Sequence, residues 1–289
     1  MEMAVQNSNY FAQRSAILAT KHGKEAVIAP LLDDAFGLIV TVPPAFDSDR
    51  FGTFTRDIDR PASQLETARL KALAALDGTD ATIAIASEGT FAPHPSLPFL
   101  PCDRELVVLI DREHNLELVG ETLSTATNFN HTTIATVDTA IAFAKKIGFP
   151  SHGLVLMPDP TAKTQPDLVK GICTWDELTA AATRFLATYG RAHLETDMRA
   201  MHNPTRMQVI RQATQDLIRK AQSQCPQCHT PGFAIATRTP GLPCELCGSP
   251  TQQVLSVQLV CDRCGFAQTQ LFPAGVQTAD PMVCDYCNP

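Results

Sequence analysis

Four Cys-x-x-Cys pairs near the end of the chain constrain its fold more than any other feature. They are Cys225/Cys228, Cys244/Cys247, Cys261/Cys264 and Cys284/Cys287. Two residues between cysteines let both thiolates of a tight turn face one metal, and two such turns complete a tetrahedral four-cysteine zinc site. The eight cysteines therefore predict two structural zinc ions in a double zinc-ribbon module over residues 224–289.

The spacing leaves open which pairs share an ion. Consecutive pairs can combine in sequence order, or the inner two pairs can share one ion and the outer two the other. The 13 residues between Cys247 and Cys261 favour the second, nested arrangement.

The charge of this module bears on its role. Residues 225–289 contain two basic side chains, Arg238 and Arg263, against four acidic ones. Nucleic-acid binding depends on lysines and arginines that neutralise phosphates. We therefore expect a structural or protein-contacting module, and the charge argues against a nucleic-acid partner.

Strand and helix patterns alternate before the cysteines. This alternation predicts an α/β domain with a mixed sheet flanked by helices over residues 15–223, preceded by a flexible N-terminus of residues 1–14. The predicted strands include Ser15–Thr20, Gly37–Val42, Ala81–Ala86 and Gly153–Met157, and the predicted helices include Val137–Ile147, Trp175–Thr188 and Pro204–Gln222. The stretch Pro158–Gly171 is predicted to be a loop.

Composition limits the class of protein. The 289 residues are 44% hydrophobic, which is enough to bury a full core, and the formal net charge is −7. An acidic chain is a poor partner for nucleic acid or an anionic membrane surface. Residues 1–20 lack the pattern of a signal peptide, and no apolar run is long enough to span a membrane. With its paired thiols, the chain is expected in a reducing cytoplasm.

The strand Ala81–Ala86 is nearly all apolar and is followed by Ser87 and Glu88 in a predicted loop. In an open α/β sheet, ligands bind at the carboxyl ends of the strands. Glu88 is therefore the candidate catalytic carboxylate. The turn after the first strand supplies three candidate phosphate ligands, because helix starts and lysines both bind phosphate. They are Thr20, Lys21 and Lys24.

Acidic residues near Glu88 suggest a second type of metal. Carboxylates bind Mg²⁺ together with substrate phosphates. The candidate Mg²⁺ or Mn²⁺ ligands are Asp47, Asp49, Glu66 and Glu88. Glu66 has a competing explanation, since Ser63 and Glu66 form the pattern of a helix capping box.

A later segment, Glu195–Met207, gathers further candidate phosphate ligands at a predicted helix start. They are Arg199, Asn203 and Arg206. The guanidinium group matches phosphate geometry. The alternative is that Asn203 caps the helix and both arginines are solvated.

Several stretches together resemble an uncharacterised bacterial family of unknown function that has a C-terminal zinc-ribbon region. They are ATKHGKEAVIAPLL, FDSDRFGTFTRDIDRPASQLETARLKA, ASEGTFAPHP, FPSHG, ETDMRAMHNPTRM and CDYCNP. The order of the first strands, helices and acidic loop is also similar, more remotely, to nucleoside triphosphate pyrophosphatases of the inosine-triphosphatase and Maf type.

This remote resemblance implies a role for several residues. Glu88 would be the central metal-binding carboxylate, Lys24 would contact phosphate, and Arg199, Asn203 and Arg206 would correspond to the late basic segment. The chain departs from that superfamily in two signatures. His22 stands where the superfamily has Asn, and Ser87-Glu88-Gly89 stands where it has Asp-Ser/Thr-Gly.

Two functions are compatible with these patterns. The leading hypothesis is a Mg²⁺-dependent phosphohydrolase that acts on a nucleotide or another phosphorylated small molecule. The alternative is a non-enzymatic zinc-binding protein whose ribbon module contacts another protein.

Overall fold

The computed structural model describes residues 10–44, 46–53, 58–161 and 167–289. Within them the chain divides into two units, residues 11–218 and residues 219–289 with Tyr10. Part of the predicted flexible N-terminus, residues 1–9, lies outside the described residues. Of the remainder, Phe11 is buried and Arg14 forms an ion pair with Asp111, so these residues are held in place.

The larger unit contains a five-stranded mixed sheet. Its strands are β1 (Ser15–Ala19), β2 (Ile39–Thr41), β3 (Ile83–His94), β4 (Leu97–Asp111) and β5 (Leu116–Ser124). The spatial order is β2-β1-β3-β4-β5. Strand β1 pairs in parallel with β2 and β3, whereas β3, β4 and β5 pair antiparallel. Helix α1 (Glu25–Phe36) connects β1 to β2, and α2 (Gln64–Leu76) precedes β3.

Helix α2 covers one face of this sheet. Its apolar stripe of Ala68, Ala72 and Leu76 is buried against alternate residues of β3 and β4. Small alanine side chains bring the helix close to the sheet. This stripe therefore faces the core.

The same unit contains a second sheet, which has four antiparallel strands in the order β6-β9-β7-β8. They are β6 (His131–Ile134), β7 (Leu154–Met157), β8 (Val169–Ile172) and β9 (Ala192–Thr196). Helices α3 (Val137–Ile147) and α4 (Trp175–Tyr189) share its apolar core. The sequence predicted one mixed sheet in this domain, whereas its strands form two separate sheets.

Two of these strands were absent from the sequence-based prediction. Strand β8 lies partly within the predicted loop Pro158–Gly171, of which residues 162–166 lie outside the described residues. Both β6 and β8 are four-residue edge strands, and such short segments carry little periodicity.

Helix α5 (Pro204–Gln222) packs directly on β5 at Gly120. A Cβ atom at Gly120 would lie 2.2 Å from the carbonyl oxygen of Ala213 and 2.3 Å from the amide nitrogen of Leu217. The Asp216 carboxylate also accepts a hydrogen bond from the Glu121 amide at 2.9 Å. The helix therefore rests on the strand backbone, where only glycine leaves room.

The capping-box pattern occurs at the starts of α2 and α4, with different outcomes. Thr174 and Glu177 form the complete box, with both reciprocal hydrogen bonds. At α2, Ser63 accepts a hydrogen bond from the Glu66 amide, but the Glu66 side chain lies 3.0 Å from Arg69 in an ion pair.

The smaller unit contains a three-stranded antiparallel sheet, β10 (Ala234–Pro240), β11 (Val254–Val260) and β12 (Ala267–Leu271). The structure confirms an α/β chain followed by a cysteine-rich module. Within the described residues, we find no helix whose length and apolar character would let it cross a membrane.

Candidate functional site

A cavity of about 460 Å³ opens at the carboxyl end of β1. Strand β1 ends at Ala19, which pairs with Ala86, whereas β3 continues to His94. Side chains of β3 beyond Ala86 therefore reach the space past the end of β1. The second sheet contributes Val155, Lys170 and Glu195 to the wall.

The prediction that Ser87 and Glu88 lie in a loop is wrong. Both residues lie inside β3 and pair with Val107 and Leu106 of β4. The apolar run ends at Ala86 because polar side chains face the cavity from there, and the strand itself continues. Glu88 nevertheless lines the cavity together with the turn after β1, which contributes Lys21 and Lys24.

Among the residues that the structure describes, basic side chains outnumber acidic ones in the cavity wall. The lysines and arginines that line it are Lys21, Lys24, Arg60, Lys71, Lys170 and Arg199. The carboxylates that line it are Asp49, Glu88, Glu195 and Asp197. The wall therefore has an excess of positive charge, in a chain whose formal net charge is −7.

Glu88 is held by two cations. Its Oε2 accepts a hydrogen bond from Lys71 at 2.7 Å, and its Oε1 lies 3.0 Å from Arg60. Glu88 and Lys71 are both buried. Sequence reasoning missed both Arg60 and Lys71. Lys71 had a signal, because a lysine beside Ala68 and Ala72 in an apolar stripe needs a buried partner.

The loop between β2 and α2 contains two candidate metal ligands, Asp47 and Asp49. Of these two, Asp49 lines the cavity. Lys21 lies 2.9 Å from Asp47 and 3.1 Å from Asp49. Asp49 also lies 3.2 Å from Nε2 of His22, and these contacts with His22 and Lys21 hold the pKa of Asp49 well below its usual value. Burial lowers the pKa of His22. Thr20 lines the cavity as well, and its hydroxyl accepts a hydrogen bond from the His22 amide.

Lys24 is buried, and the described hydrogen bonds of its side chain are both with Ser87. Its Nζ lies 2.8 Å from Oγ of Ser87 and 3.0 Å from the Ser87 carbonyl oxygen. Burial lowers the pKa of Lys24 to about 7, with a smaller contribution from the charge of Arg206.

The late basic segment is only partly in the wall. Arg199 lines the cavity and forms an ion pair with Asp197 at 2.6 Å. Asn203 is buried at the start of α5, where its Oδ1 accepts a hydrogen bond from the Arg206 amide. Asn203 therefore acts as a helix cap, as the alternative interpretation predicted.

Arg206 forms a buried ion pair with Glu105, with Nε 2.6 Å from Oε1. Its guanidinium group also hydrogen-bonds the Met198 carbonyl oxygen and stacks on Phe91 at 5.3 Å. Glu105 and Arg206 are almost fully buried, so the alternative interpretation in which Arg206 is solvated is wrong. Gly89 makes room for the pair, because a Cβ there would lie 2.2 Å from Oε1 of Glu105.

The fourth candidate metal ligand, Glu66, is on the exposed side of α2 and pairs with Arg69. Glu88 and Asp49 face the cavity, but the described contacts of their oxygens are with Lys71, Arg60, Lys21 and His22. Within the described residues, the clusters of three or more potential metal ligands lie outside this wall. The arrangement therefore does not fit a resident Mg²⁺ ion.

The cysteines form two clusters of four that could bind zinc. Sulfur atoms of Cys225 and Cys264, and of Cys228 and Cys261, are each 3.6 Å apart. The corresponding distances in the second cluster are 3.9 Å for Cys244 and Cys287 and 3.7 Å for Cys247 and Cys284. A tetrahedron with Zn–S bonds of about 2.3 Å has edges of roughly 3.8 Å. The donor set and the spacing thus fit structural zinc.

Neither predicted pairing is correct. The first and third Cys-x-x-Cys pairs form one cluster and the second and fourth form the other, an arrangement we call the crossed pairing. Its cause is the antiparallel order of β10, β11 and β12. The start of β10 lies beside the turn between β11 and β12, whereas the turn between β10 and β11 lies beside the end of β12.

Comparison with known proteins assigns a family. The model described as "Domain of unknown function (DUF6671)" matches residues 71–289, which is more than half of the chain. The chain belongs to the DUF6671 family. The DUF6671 match includes all eight clustered cysteines, Glu88 and Arg199, whereas Lys21 and Lys24 precede it.

No curated protein matches this chain. Among solved structures, protein VC0702 from Vibrio cholerae is similar, with 12% sequence identity and a TM-score of 0.29. The similarity covers 71% of this chain and 93% of that protein. A TM-score of this size carries no conclusion about the fold or the activity.

Proposed function

We propose that the cavity at the carboxyl end of β1 binds a phosphorylated small molecule. The observation that carries this proposal is the set of six lysine and arginine side chains in one wall. Phosphate is the common biological group that several cations bind together, through short charge-assisted hydrogen bonds.

The start of α1 supports the same ligand. Helix α1 begins at Glu25, directly after the cavity-lining residues Lys21, His22 and Lys24, and no side chain caps its first turn. The positive end of the helix dipole attracts anions at such a position. The dipole of α1 therefore adds to the attraction that the side-chain cations of the cavity exert on a phosphate.

The finer proposal is that the ligand is a nucleotide and that the cavity hydrolyses it with Mg²⁺ or Mn²⁺. The cations that line the wall would stabilise charge that develops on a phosphate during hydrolysis. Because the carboxylates do not fit a resident Mg²⁺ ion, we propose no role for the metal beyond what a substrate phosphate brings with it.

Replacing Lys21 by methionine is expected to weaken pyrophosphate binding roughly 10- to 150-fold, because one charge-assisted hydrogen bond contributes roughly 1.5–3 kcal/mol. Lys21 is half-exposed, so the substitution should leave the fold intact. Isothermal titration measures the affinity. Lys145→Met removes an exposed lysine of α3 outside the cavity wall and is the matched control. Equal affinities in all three proteins, or no pyrophosphate binding by the wild type, would contradict the proposal.

The finer proposal is tested by measuring phosphate release from a nucleotide panel with Mg²⁺ or Mn²⁺, for the wild type beside Glu88→Gln. Loss of release in Glu88→Gln would support a role of Glu88 in the reaction. Pyrophosphate binding without release from any nucleotide would restrict the function to binding.

A second candidate function is protein contact through the cysteine module, and it rests on a difference between the two clusters. The residues between the cysteines of the second cluster include Leu246 and Tyr286, whose exposed fractions are 74% and 78%. The corresponding positions of the first cluster are polar, Gln227 and Arg263. Zinc binding does not require exposed apolar side chains, and such residues are typical of protein contact sites.

The variant Leu246→Ser/Tyr286→Ser is expected to retain its zinc and its melting temperature but to lose binding to a protein partner. Gln227→Ser/Arg263→Ser, at the matching positions of the first cluster, is the control. Binding of a purified partner is measured by biolayer interferometry. Unchanged binding by the first variant would contradict a contact at these residues.

A further inference from the structure

Lys24 differs from other cations of the cavity wall in the atoms it contacts. Its Nζ lies next to two neutral oxygens of Ser87, the hydroxyl and the carbonyl. Other cations of the wall lie against carboxylates: Lys21 against Asp47 and Asp49, Lys71 against Glu88, and Arg199 against Asp197. An ammonium group in contact with a carboxylate is stabilised as a cation, whereas Lys24 lacks such a contact in the described structure.

The surroundings favour an uncharged amine at Lys24. Lys24 is 7% exposed, and burial is the main cause that lowers its pKa to about 7. Arg206 of α5 and Lys71 of α2 lower the pKa further, whereas Glu105 of β4 and Glu88 of β3 raise it. A desolvated lysine beside other cations is a nucleophile, because its lone pair is free at neutral pH.

We propose that the amine of Lys24 forms an imine with the carbonyl group of a phosphorylated aldehyde or ketone bound in this cavity. The proposal rests on the proposed function in one respect, since the cations of the wall would hold the phosphate. It adds a covalent step and a narrower class of ligand. In this geometry a carbonyl carbon next to Lys24 leaves the phosphate to Lys21 and Arg199, which line the same cavity.

The covalent step is balanced without an oxidant or a reductant. The Nζ lone pair attacks the carbonyl carbon, a C–N bond forms, and the carbonyl electron pair moves to oxygen. A proton passes from nitrogen to that oxygen to give a carbinolamine. Loss of the hydroxyl group with a second proton releases water and leaves the C=N double bond. The Ser87 hydroxyl, 2.8 Å from Nζ, is placed to relay these protons.

The test is to treat the full-length wild-type protein with pyridoxal phosphate, reduce it with borohydride, and map the modified lysines by mass spectrometry. Pyridoxal, which lacks the phosphate, is the matched probe. We expect Lys24 to be modified at least tenfold faster by pyridoxal phosphate than by pyridoxal. Exposed lysines such as Lys145 should react with both probes at similar rates.

The pH dependence separates Lys24 from the exposed lysines. Because the pKa of Lys24 is lowered, its reactive neutral form should be half-populated near pH 7 and the rate should level off above that. The rate at Lys145 should still be rising at pH 9, since an exposed lysine has a pKa of about 10.4. Lys24→Arg, which retains a cation but no nucleophile, should lose the modified peptide.

Two outcomes would overturn the proposal in different ways. If pyridoxine phosphate, which has no aldehyde, raises the melting temperature while pyridoxal phosphate leaves Lys24 unmodified, the imine is excluded and phosphate binding stands. If pyridoxal modifies Lys24 as fast as pyridoxal phosphate does, the phosphorylated ligand class is excluded, and phosphate binding in this cavity with it.

Discussion

Replacing Cys225 and Cys261 together by serine is expected to remove one zinc ion and leave the other bound. In the crossed pairing these residues belong to the same cluster, so the cluster of Cys244, Cys247, Cys284 and Cys287 retains all four thiolates. Zinc binding to such sites contributes about 10–16 kcal/mol to folding. The variant should therefore contain one zinc ion per chain and show a large loss of stability in the C-terminal module.

Matched double substitutions distinguish the three possible pairings by zinc content alone. Cys225→Ser/Cys244→Ser removes one ligand from each cluster of the crossed pairing, as does Cys225→Ser/Cys284→Ser. Both should bind less zinc than the first variant. If the variant that retains one full ion were instead Cys225→Ser/Cys244→Ser, the pairing would follow sequence order, and Cys225→Ser/Cys284→Ser would indicate the nested pairing. Elemental analysis after gel filtration measures the content.

Replacing Arg206 by methionine is expected to lower the free energy of unfolding by about 3–5 kcal/mol, because it leaves the Glu105 carboxylate buried without its counter-charge. The effect should be large because both side chains are almost fully buried. Burial and the negative charge of Glu105 also raise the pKa of Asp103. This part of β4 therefore already contains a second acidic group that is costly to ionise.

Urea denaturation in the presence of zinc measures the effect. Arg206→Met/Glu105→Gln removes both charges and should recover part of the loss. Arg69→Met breaks an ion pair on the surface of α2 and should cost less than about 1 kcal/mol. The explanation by an unpaired buried charge would be contradicted if Arg206→Met lowered the free energy of unfolding by less than about 1 kcal/mol. It would also be contradicted if Arg206→Met/Glu105→Gln were less stable than Arg206→Met.

Several elements of the fold follow from local sequence. Helices α3 and α5 have the predicted limits, and the capping box at Thr174 is complete. These features depend on residues three or four apart, whose geometry is set within one turn of helix. The edge strands β6 and β8 have no such local signal, since their pairing with β9 and β7 depends on distant parts of the chain.

Glu88 and the turn after β1, both selected from the sequence, line the same cavity. The ion pairs of Glu88 were not predictable from the sequence, because Arg60 and Lys71 approach it from two other segments. The burial of Arg206 against Glu105 similarly joins residues that are 101 positions apart.

The sequence by itself identified the cysteines of the clusters that could bind zinc, because the two thiolates of a Cys-x-x-Cys turn can face one ion. Only the tertiary structure decided which turns form one cluster. The antiparallel order of β10, β11 and β12 brings alternate turns to the same end of the sheet, and spacing along the chain contains no information about that order. Local geometry thus identifies the Cys-x-x-Cys pairs, whereas strand pairing decides which two pairs form one cluster.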